Sequence, residues 1–259
     1  LGTNIQNKKQ ANCFILAPDM AMRILIVTAT QQEIEPLFLV NREQLAVNTW
    51  QSAKNMTHDL PTENAELQTA ILVTGVGMVA TAFALGRHLA ANQYDLALNL
   101  GIAGSFDRSL NLGEVVEVTT DVLAELGAED DESFLTLDQL GFGESVFNAS
   151  TSVANLFAQS GIHQESLLPK LTTGVTVNTV HGNEQAIRKI VNRLHPQVES
   201  MEGAAFFYAC RKAGVPCIQI RAVSNYVEKR NRDNWQIGLA IKNLNTFADA
   251  LLKQLSANV

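Results

Sequence analysis

Short apolar runs rich in β-branched residues recur along the chain. Between several of them, apolar residues return at helical spacing. The first run, RILIVTA at residues 23–29, stops at polar Thr30, Gln31, Gln32 and Glu33. A continuous apolar run of that length closed by a polar turn predicts a buried strand feeding a helix. Residues 67–73, 95–100, 113–118, 171–177 and 217–223 repeat the pattern. Helical spacing predicts helices over 79–90, 183–192, 202–213 and 235–255. Strands alternating with helices predict an α/β fold with a central, largely parallel sheet flanked by helices. No internal repeat or low-complexity linker divides the chain, so one domain over residues 22–259 is expected. Residues 123–145 break the pattern. They are acidic at Glu129, Asp130, Asp131 and Glu132, then mix in Phe134, Leu135 and Phe142. We read them as a long functional loop or insertion, because loops of that length inside a compact domain usually have a task.

Composition narrows the class. Hydrophobic residues are 46% of the 259 and charged residues 17%, which is globular rather than disordered. The net charge of −7 argues against a phosphate-backbone partner, so nucleic acid is not expected, although one pocket can still carry its own local charge. The cysteines, at 13, 210 and 217, are odd in number and lack CxxC spacing. A reducing, cytoplasmic setting without disulfides or a zinc site is expected. No apolar run is long enough to span a bilayer, so no membrane contact is expected. Lys8 and Lys9 precede a short apolar patch at 13–17. The patch is too short for a signal peptide, and Asp19 interrupts it. Residues 1–21 are read as a disordered or artificially added extension.

Several positions could carry chemistry. Thr74-Gly75-Val76-Gly77 and Gly101-Ile102-Ala103-Gly104 follow apolar runs, and their glycines allow a backbone to approach a ligand. Neither is a dinucleotide-binding GxGxxG, since positions 80 and 106 are Ala and Phe. Alone, they read as strand-end punctuation. Glu33 lies where open α/β sheets gather ligand-binding loops and could act as a general base. Alone, it reads as a solvated first-turn glutamate. Glu202 opens an apolar helix and could bind vicinal sugar hydroxyls, or simply be a helix N-terminal charge. Arg221, Ser224 and Asn225 close the most apolar late strand, and an arginine there needs a partner. The histidines at 58, 88, 163, 181 and 195 show no metal spacing and are read as structural or surface residues. No metal or cofactor is expected.

The order of these elements is more specific than any one of them. A strand ending in a Glu-bearing turn is followed by TGVG, NLGIAGSF, LGEVV, ESMEG and RAVSN. Over nearly all of residues 22–259 this resembles the nucleoside phosphorylase and nucleosidase superfamily. The nearest pattern is the hydrolytic branch, which includes methylthioadenosine nucleosidases and futalosine hydrolases. Residues 121–143, with LGAEDDESFLTLDQLGFG, resemble futalosine hydrolases in particular. So do Ser224 and Asn225 followed by EKRNRD at 228–233 and Trp235.

The resemblance implies a single-domain nucleoside phosphorylase-like fold and hydrolysis of the N-glycosidic bond of futalosine. The products would be hypoxanthine and dehypoxanthine futalosine, in menaquinone biosynthesis. Methylthioadenosine/adenosylhomocysteine nucleosidase and purine nucleoside phosphorylase are the alternatives. It implies that Glu33 activates the attacking water, Arg221 supports the water site, and Met201 and Glu202 hold the ribose. Thr74, Gly75 and Ser224 are further expected substrate contacts. The base-stacking segment falls near 177–182, where Thr179 and Val180 are the contacts named. A homodimer is implied as well.

The position that protonates the leaving purine in adenine-specific relatives is Asn225 here, not Asp. An ionised Asp would set an acceptor against O6 of a 6-oxopurine, whereas an amide can donate to O6 or N7. Mismatched buried polar groups discriminate strongly, so Asn225 points to hypoxanthine. Residues 28–36 contain no Lys or Arg but do contain Glu33 and Glu35, which disfavours a bound phosphate and favours water as nucleophile. For a carboxyphenyl arm at the ribose 5′ side, Phe106, Phe134 and Phe142 are candidate walls. Arg108, Arg230 and Arg232 are candidate donors to its carboxylate.

Overall fold

The computed structural model describes residues 22–40, 57–60 and 67–257. The expected extension at 1–21, with Cys13, lies outside them. The chain opens with β1 (Met22–Thr28), α1 (Gln31–Val40), β2 (Thr57–Leu60), β3 (Leu67–Val73) and α2 (Met78–Leu89). Next come β4 (Leu96–Ser105), β5 (Val115–Leu123), the short β6 (Gly127–Asp130) and β7 (Ser133–Thr136), and β8 (Val146–Asn148). α3 (Val153–Gln159), β9 (Lys170–Thr176), α4 (Glu184–Leu194) and β10 (Val198–Ser200) follow. α5 (Gly203–Ala213), β11 (Cys217–Tyr226) and α6 (Ile237–Ser256) complete the fold.

The main sheet runs β10-β9-β5-β11-β4-β1-β3-β2, with β8 added on β5. It is mixed. β1 is parallel to both β3 and β4, and β4–β11, β5–β9 and β9–β10 are parallel too. β5 is antiparallel to β11 and β2 to β3. β10 also pairs antiparallel with β4, so β10, β9, β5, β11 and β4 close into a ring. The expected α/β architecture with a mixed, largely parallel sheet is therefore present.

Alternation within β1 explains its unbroken apolar run. Ile24 and Ile26 face a core with Ile34 and Leu37 of α1 and Leu244 and Leu251 of α6. Leu25 and Val27 face the other way, toward Leu85 of α2 and Phe206 and Phe207 of α5. Both faces of the strand are buried, so no polar position interrupts it. Cys210 and Cys217 are buried and free. No helix among the described residues is long and apolar enough to cross a membrane.

Two expectations need correction. Residues 101–104 are not a turn, because β4 continues through them to Ser105. Neighbouring strands β11 and β10 pair with this stretch, and that backbone pairing overrides the local signal of two glycines. Residues 123–145 are not one irregular loop either. They carry the β6–β7 hairpin, turned at Asp131 with a positive φ of 51°.

Glu117 on β5 is 1% exposed. The Val153 N–H donates to its Oε2 at 3.2 Å, and among the described residues its Oε1 has no hydrogen-bond partner. Burial pushes its carboxyl up to about 7, against that one hydrogen bond. The native state then holds a proton that the unfolded chain has released, so stability falls as pH rises from about 4.5 to about 7. Glu117→Gln keeps the shape and removes the titration. Denaturant midpoints are expected to diverge with pH, the variant gaining about 2–3 kcal/mol over the parent by pH 8. Parallel pH curves would show that Glu117 does not titrate in this range.

Candidate active site

The carboxyl ends of β1, β4 and β11 meet beside the first turn of α1, and Glu33 stands there, 7% exposed. Its Oε2 accepts from Thr28 Oγ1 at 3.2 Å, Thr30 N at 2.9 Å and Thr30 Oγ1 at 3.0 Å. Among the described residues its Oε1 accepts only from Ile102 N, at 3.2 Å. Three donors saturate one oxygen and a single donor engages the other, so Oε1 keeps a lone pair for a further hydrogen. The turn around Glu33 is braced from a distance. Leu37 N donates to Asn245 Oδ1 at 3.0 Å, and Asn245 Nδ2 donates to the Glu33 carbonyl at 2.7 Å. In a regular helix Leu37 N would meet that carbonyl directly. The Asn245 amide from α6 joins these two backbone groups next to Pro36 and ties the base of α1 to α6.

Arg221 is 1% exposed and held from three sides. Its Nε donates to Gln219 Oε1 at 2.9 Å, Nη2 donates to Asn99 Oδ1, and Nη1 lies 3.7 Å from Glu202 Oε2. Gln219 in turn donates to Asp121 Oδ2 at 3.0 Å, and Thr176 Oγ1 donates to Asp121 Oδ1 at 2.8 Å. Burial of Asp121 pushes its carboxyl up to about 6, although Gln219, Thr176 and Arg221 all pull it down. Gly101 is the register partner of Arg221 and is what lets the guanidinium lie flat against β4. A Cβ at Gly101 would stand 2.1 Å from Arg221 Nη1 and 3.1 Å from Glu33 Oε1. Glu202 caps this group. Its Oε1 accepts from the N–H of Gly77 at 3.0 Å, and Gly77 has a φ of 95° that favours glycine.

The other end of the site is shaped by a bulge in β11. The register with β4 shifts between Val223 and Asn225, leaving Ser224 as the extra residue. Ser224 Oγ lies 3.2 Å from the Ala103 carbonyl and 2.8 Å from Asn225 Oδ1. Asn225 Nδ2 donates to the Tyr226 carbonyl at 3.0 Å and keeps its second hydrogen. Glu199, three residues before Glu202, is 3% exposed and bonds His181 twice. The His181 backbone N–H donates to Oε1 at 3.0 Å, and Nδ1 lies 2.7 Å from Oε2. The Glu199 hydrogen bond raises the proton affinity of His181 above the usual imidazole range, and burial opposes it.

With this geometry in hand, comparison with known proteins is decisive for the family. A model of the phosphorylase superfamily matches residues 23–257. This chain belongs to the phosphorylase superfamily. It is 32% identical over 184 residues to a futalosine hydrolase of Thermus thermophilus, covering 71% of this chain and 80% of that one. It is 31% identical over 229 residues to a futalosine hydrolase of Streptomyces coelicolor, covering 85% and 91%. Its fold is similar to that of a futalosine hydrolase of Helicobacter pylori, with a TM-score of 0.72 at 16% identity, over 90% of this chain and 98% of that one.

In this phosphorylase-superfamily chain Glu33 and Arg221 both lie beside Gly101, and Glu202 lies on the far side of the Arg221 guanidinium. Ser224 and Asn225 lie together at the bulge. Thr74 is buried and turned into its own loop, Oγ1 lying 2.9 Å from the Gly75 carbonyl. Gly75 N donates to Ala29 O at 3.1 Å. Met201 adjoins Glu202 at the start of α5, while Thr179 and Val180 lie between β9 and α4. The arm candidates do not gather. Phe106 meets His181 edge-on with ring centroids 6.2 Å apart, and Phe134 lies under Arg193 at 3.8 Å. Phe142 is 79% exposed in a groove of about 600 Å³ between α2, α5 and residues 123–144. Arg108 pairs with Glu228, and Arg230 and Arg232 both lie over Trp235.

Sequence reasoning missed three contributors. His181 was read as structural or surface, yet it is clasped by Glu199, whose side chain and that of Asn225 both lie beside Gly104. Neither Glu199 as a histidine partner nor Asn245 as the brace of Glu33 carried a local signal. Asn245 is 212 positions from Glu33.

Proposed function

We propose that the protein is a cytoplasmic, homodimeric nucleosidase that hydrolyses the N-glycosidic bond of futalosine and releases hypoxanthine. The observation that carries this reading is the meeting of Glu33 and Arg221 beside Gly101, with Glu202 paired to the same guanidinium. Water bound to the open lone pair of Glu33 Oε1 is the nucleophile, and Glu33 takes its proton as the bond to C1′ forms. The C1′–N9 bond breaks with its electron pair passing into the purine, and positive charge gathers on the ribose. Glu33 and Glu202 favour that charge electrostatically. Glu202, its backbone anchored by α5 and its Oε1 by Gly77, presents Oε2 to the ribose hydroxyls with Met201 beside it. Thr74, Gly75, Thr179 and Val180 line the remaining approach. Asn225 donates its second amide hydrogen to O6 or N7 of the base.

Arg221 argues against phosphorolysis. Asn99 and Gln219 hold its guanidinium, and the carboxylates of Glu202 and Glu33 around it disfavour a phosphate dianion there. The relatives named futalosine hydrolase support the choice of substrate. Exposed Val76, Val79, Phe83 and Phe142 around the α2–α5 groove support burial against a second copy of the chain.

The test is release of free base from futalosine, methylthioadenosine and inosine, each with and without phosphate, using enzyme expected to sediment as two chains. Hypoxanthine is expected from futalosine at a rate independent of phosphate, with kcat/KM at least ~10²-fold above that for methylthioadenosine. A phosphate requirement would reject hydrolysis. A preference for methylthioadenosine would reject the 6-oxopurine reading of Asn225.

A further inference from the structure

We propose that His181, held by Glu199, is the catalytic residue that hands a proton to the leaving base. This rests on the reading above, in which Asn225 faces a purine. An amide has no proton to give, so a departing hypoxanthine needs another source.

Gly104 brings the two ends of this arrangement together. Its register partners are Glu199 on β10 and Asn225 on β11. Partners in neighbouring strands send their side chains to the same face. A Cβ at Gly104 would stand 3.3 Å from Asn225 Nδ2 and 3.5 Å from Glu199 Cγ, so the glycine opens the space between them. What Glu199 carries to that face is His181. The carboxylate holds both the backbone N–H and Nδ1 of His181, which assigns Nδ1 its hydrogen and leaves Nε2 as the nitrogen that Glu199 does not engage. Among the described residues Nε2 has no hydrogen-bond partner. The ring is mostly buried, at 12% side-chain exposure, and Phe106 sets its plane from the edge.

The surroundings favour the imidazolium. Glu199 raises its proton affinity most, and burial of the ring opposes this. Glu125 after β5 also raises it, while Arg193 of α4 opposes it. Arg230 after β11 approaches the neighbouring Gly182, where a Cβ would stand 3.6 Å from Arg230 Cβ. In the step itself, the electron pair of the C1′–N9 bond enters the purine, the Nε2–H bond breaks, and the proton passes to N7. Water adds its oxygen to C1′ and gives its proton to Glu33. Exchange through solvent then returns a proton from Glu33 to His181.

The experiment compares futalosine with its N7-methylated derivative, whose base is already cationic and leaves without a proton. His181→Gln is expected to lower kcat on futalosine about 10²–10³-fold, yet to turn over the N7-methyl compound within about threefold of the parent rate on that compound. Equal losses on both substrates, or no loss on futalosine, would overturn the assignment. Glu199→Gln is the second variant. The fall in kcat on futalosine at the basic side of its pH profile should move to lower pH, because the imidazolium loses its carboxylate. An unmoved limb counts against the pair. If the parent protein cleaves methylthioadenosine but not futalosine, the substrate reading fails. Methylthioadenosine with and without an N7-methyl group then tests His181 in the same way.

Discussion

Glu33→Gln is expected to lower kcat on futalosine about 10³-fold with little change in KM, because it removes the acceptor of the water proton and almost nothing else. The amide is nearly the size of the carboxylate. Its oxygen can take the place of Oε2, where Thr28 Oγ1, Thr30 N and Thr30 Oγ1 donate. The amide nitrogen then faces the Ile102 N–H, donor against donor, which is expected to cost about 1–3 kcal/mol of stability. Substrate binding does not run through that oxygen, so KM should hold. Steady-state kinetics and a denaturation curve of the same preparation separate the two effects. Turnover within tenfold of the parent would remove Glu33 from the chemistry.

Gly101→Ala is expected to reduce kcat/KM about 10²-fold although Gly101 carries no functional group. Its added Cβ would lie 2.1 Å from Arg221 Nη1, too close for the guanidinium to stay where it is. Arg221 cannot move alone, since Asn99, Gln219 and Glu202 hold it from three sides and Gln219 is tied to Asp121. Glu33 Oε1 would meet the same Cβ at 3.1 Å. One methyl group therefore displaces both the nucleophile's base and its neighbour, with a further stability loss of about 1–3 kcal/mol from overpacking. Gly238→Ala, where a Cβ meets nothing within 4 Å, is the control and should leave activity unchanged. Unaltered kinetics in Gly101→Ala would mean that the placement of Arg221 and Glu33 beside Gly101 is not part of the working site.

Much of the fold was legible because its signals are local. The run at 23–29 is apolar at every position that faces either core, so it reads as a doubly buried strand without reference to anything else. Glu33 was legible because it follows that strand directly, and Arg221 because a cation at the end of an apolar strand needs a partner. The glycines at 101 and 104 misled. Their local propensity says turn, but the backbones of β10 and β11 pair with that stretch and extend β4 through it.

Determined by the sequence alone were the alternation of strands and helices, the acidic and phosphate-averse first turn, and the amide at position 225 in place of a carboxyl group. Each is a property of one segment or one residue type. The tertiary structure decided which distant groups share a face. Asn245 braces Glu33 across 212 positions, Arg221 joins Gly101 and Glu202, and Gly104 leaves room between Glu199, with its histidine, and Asn225. Those meetings depend on strand order and on a register closed by the β4–β10 pairing. Strand order and register are settled by packing of the whole sheet, and no single stretch of sequence contains them.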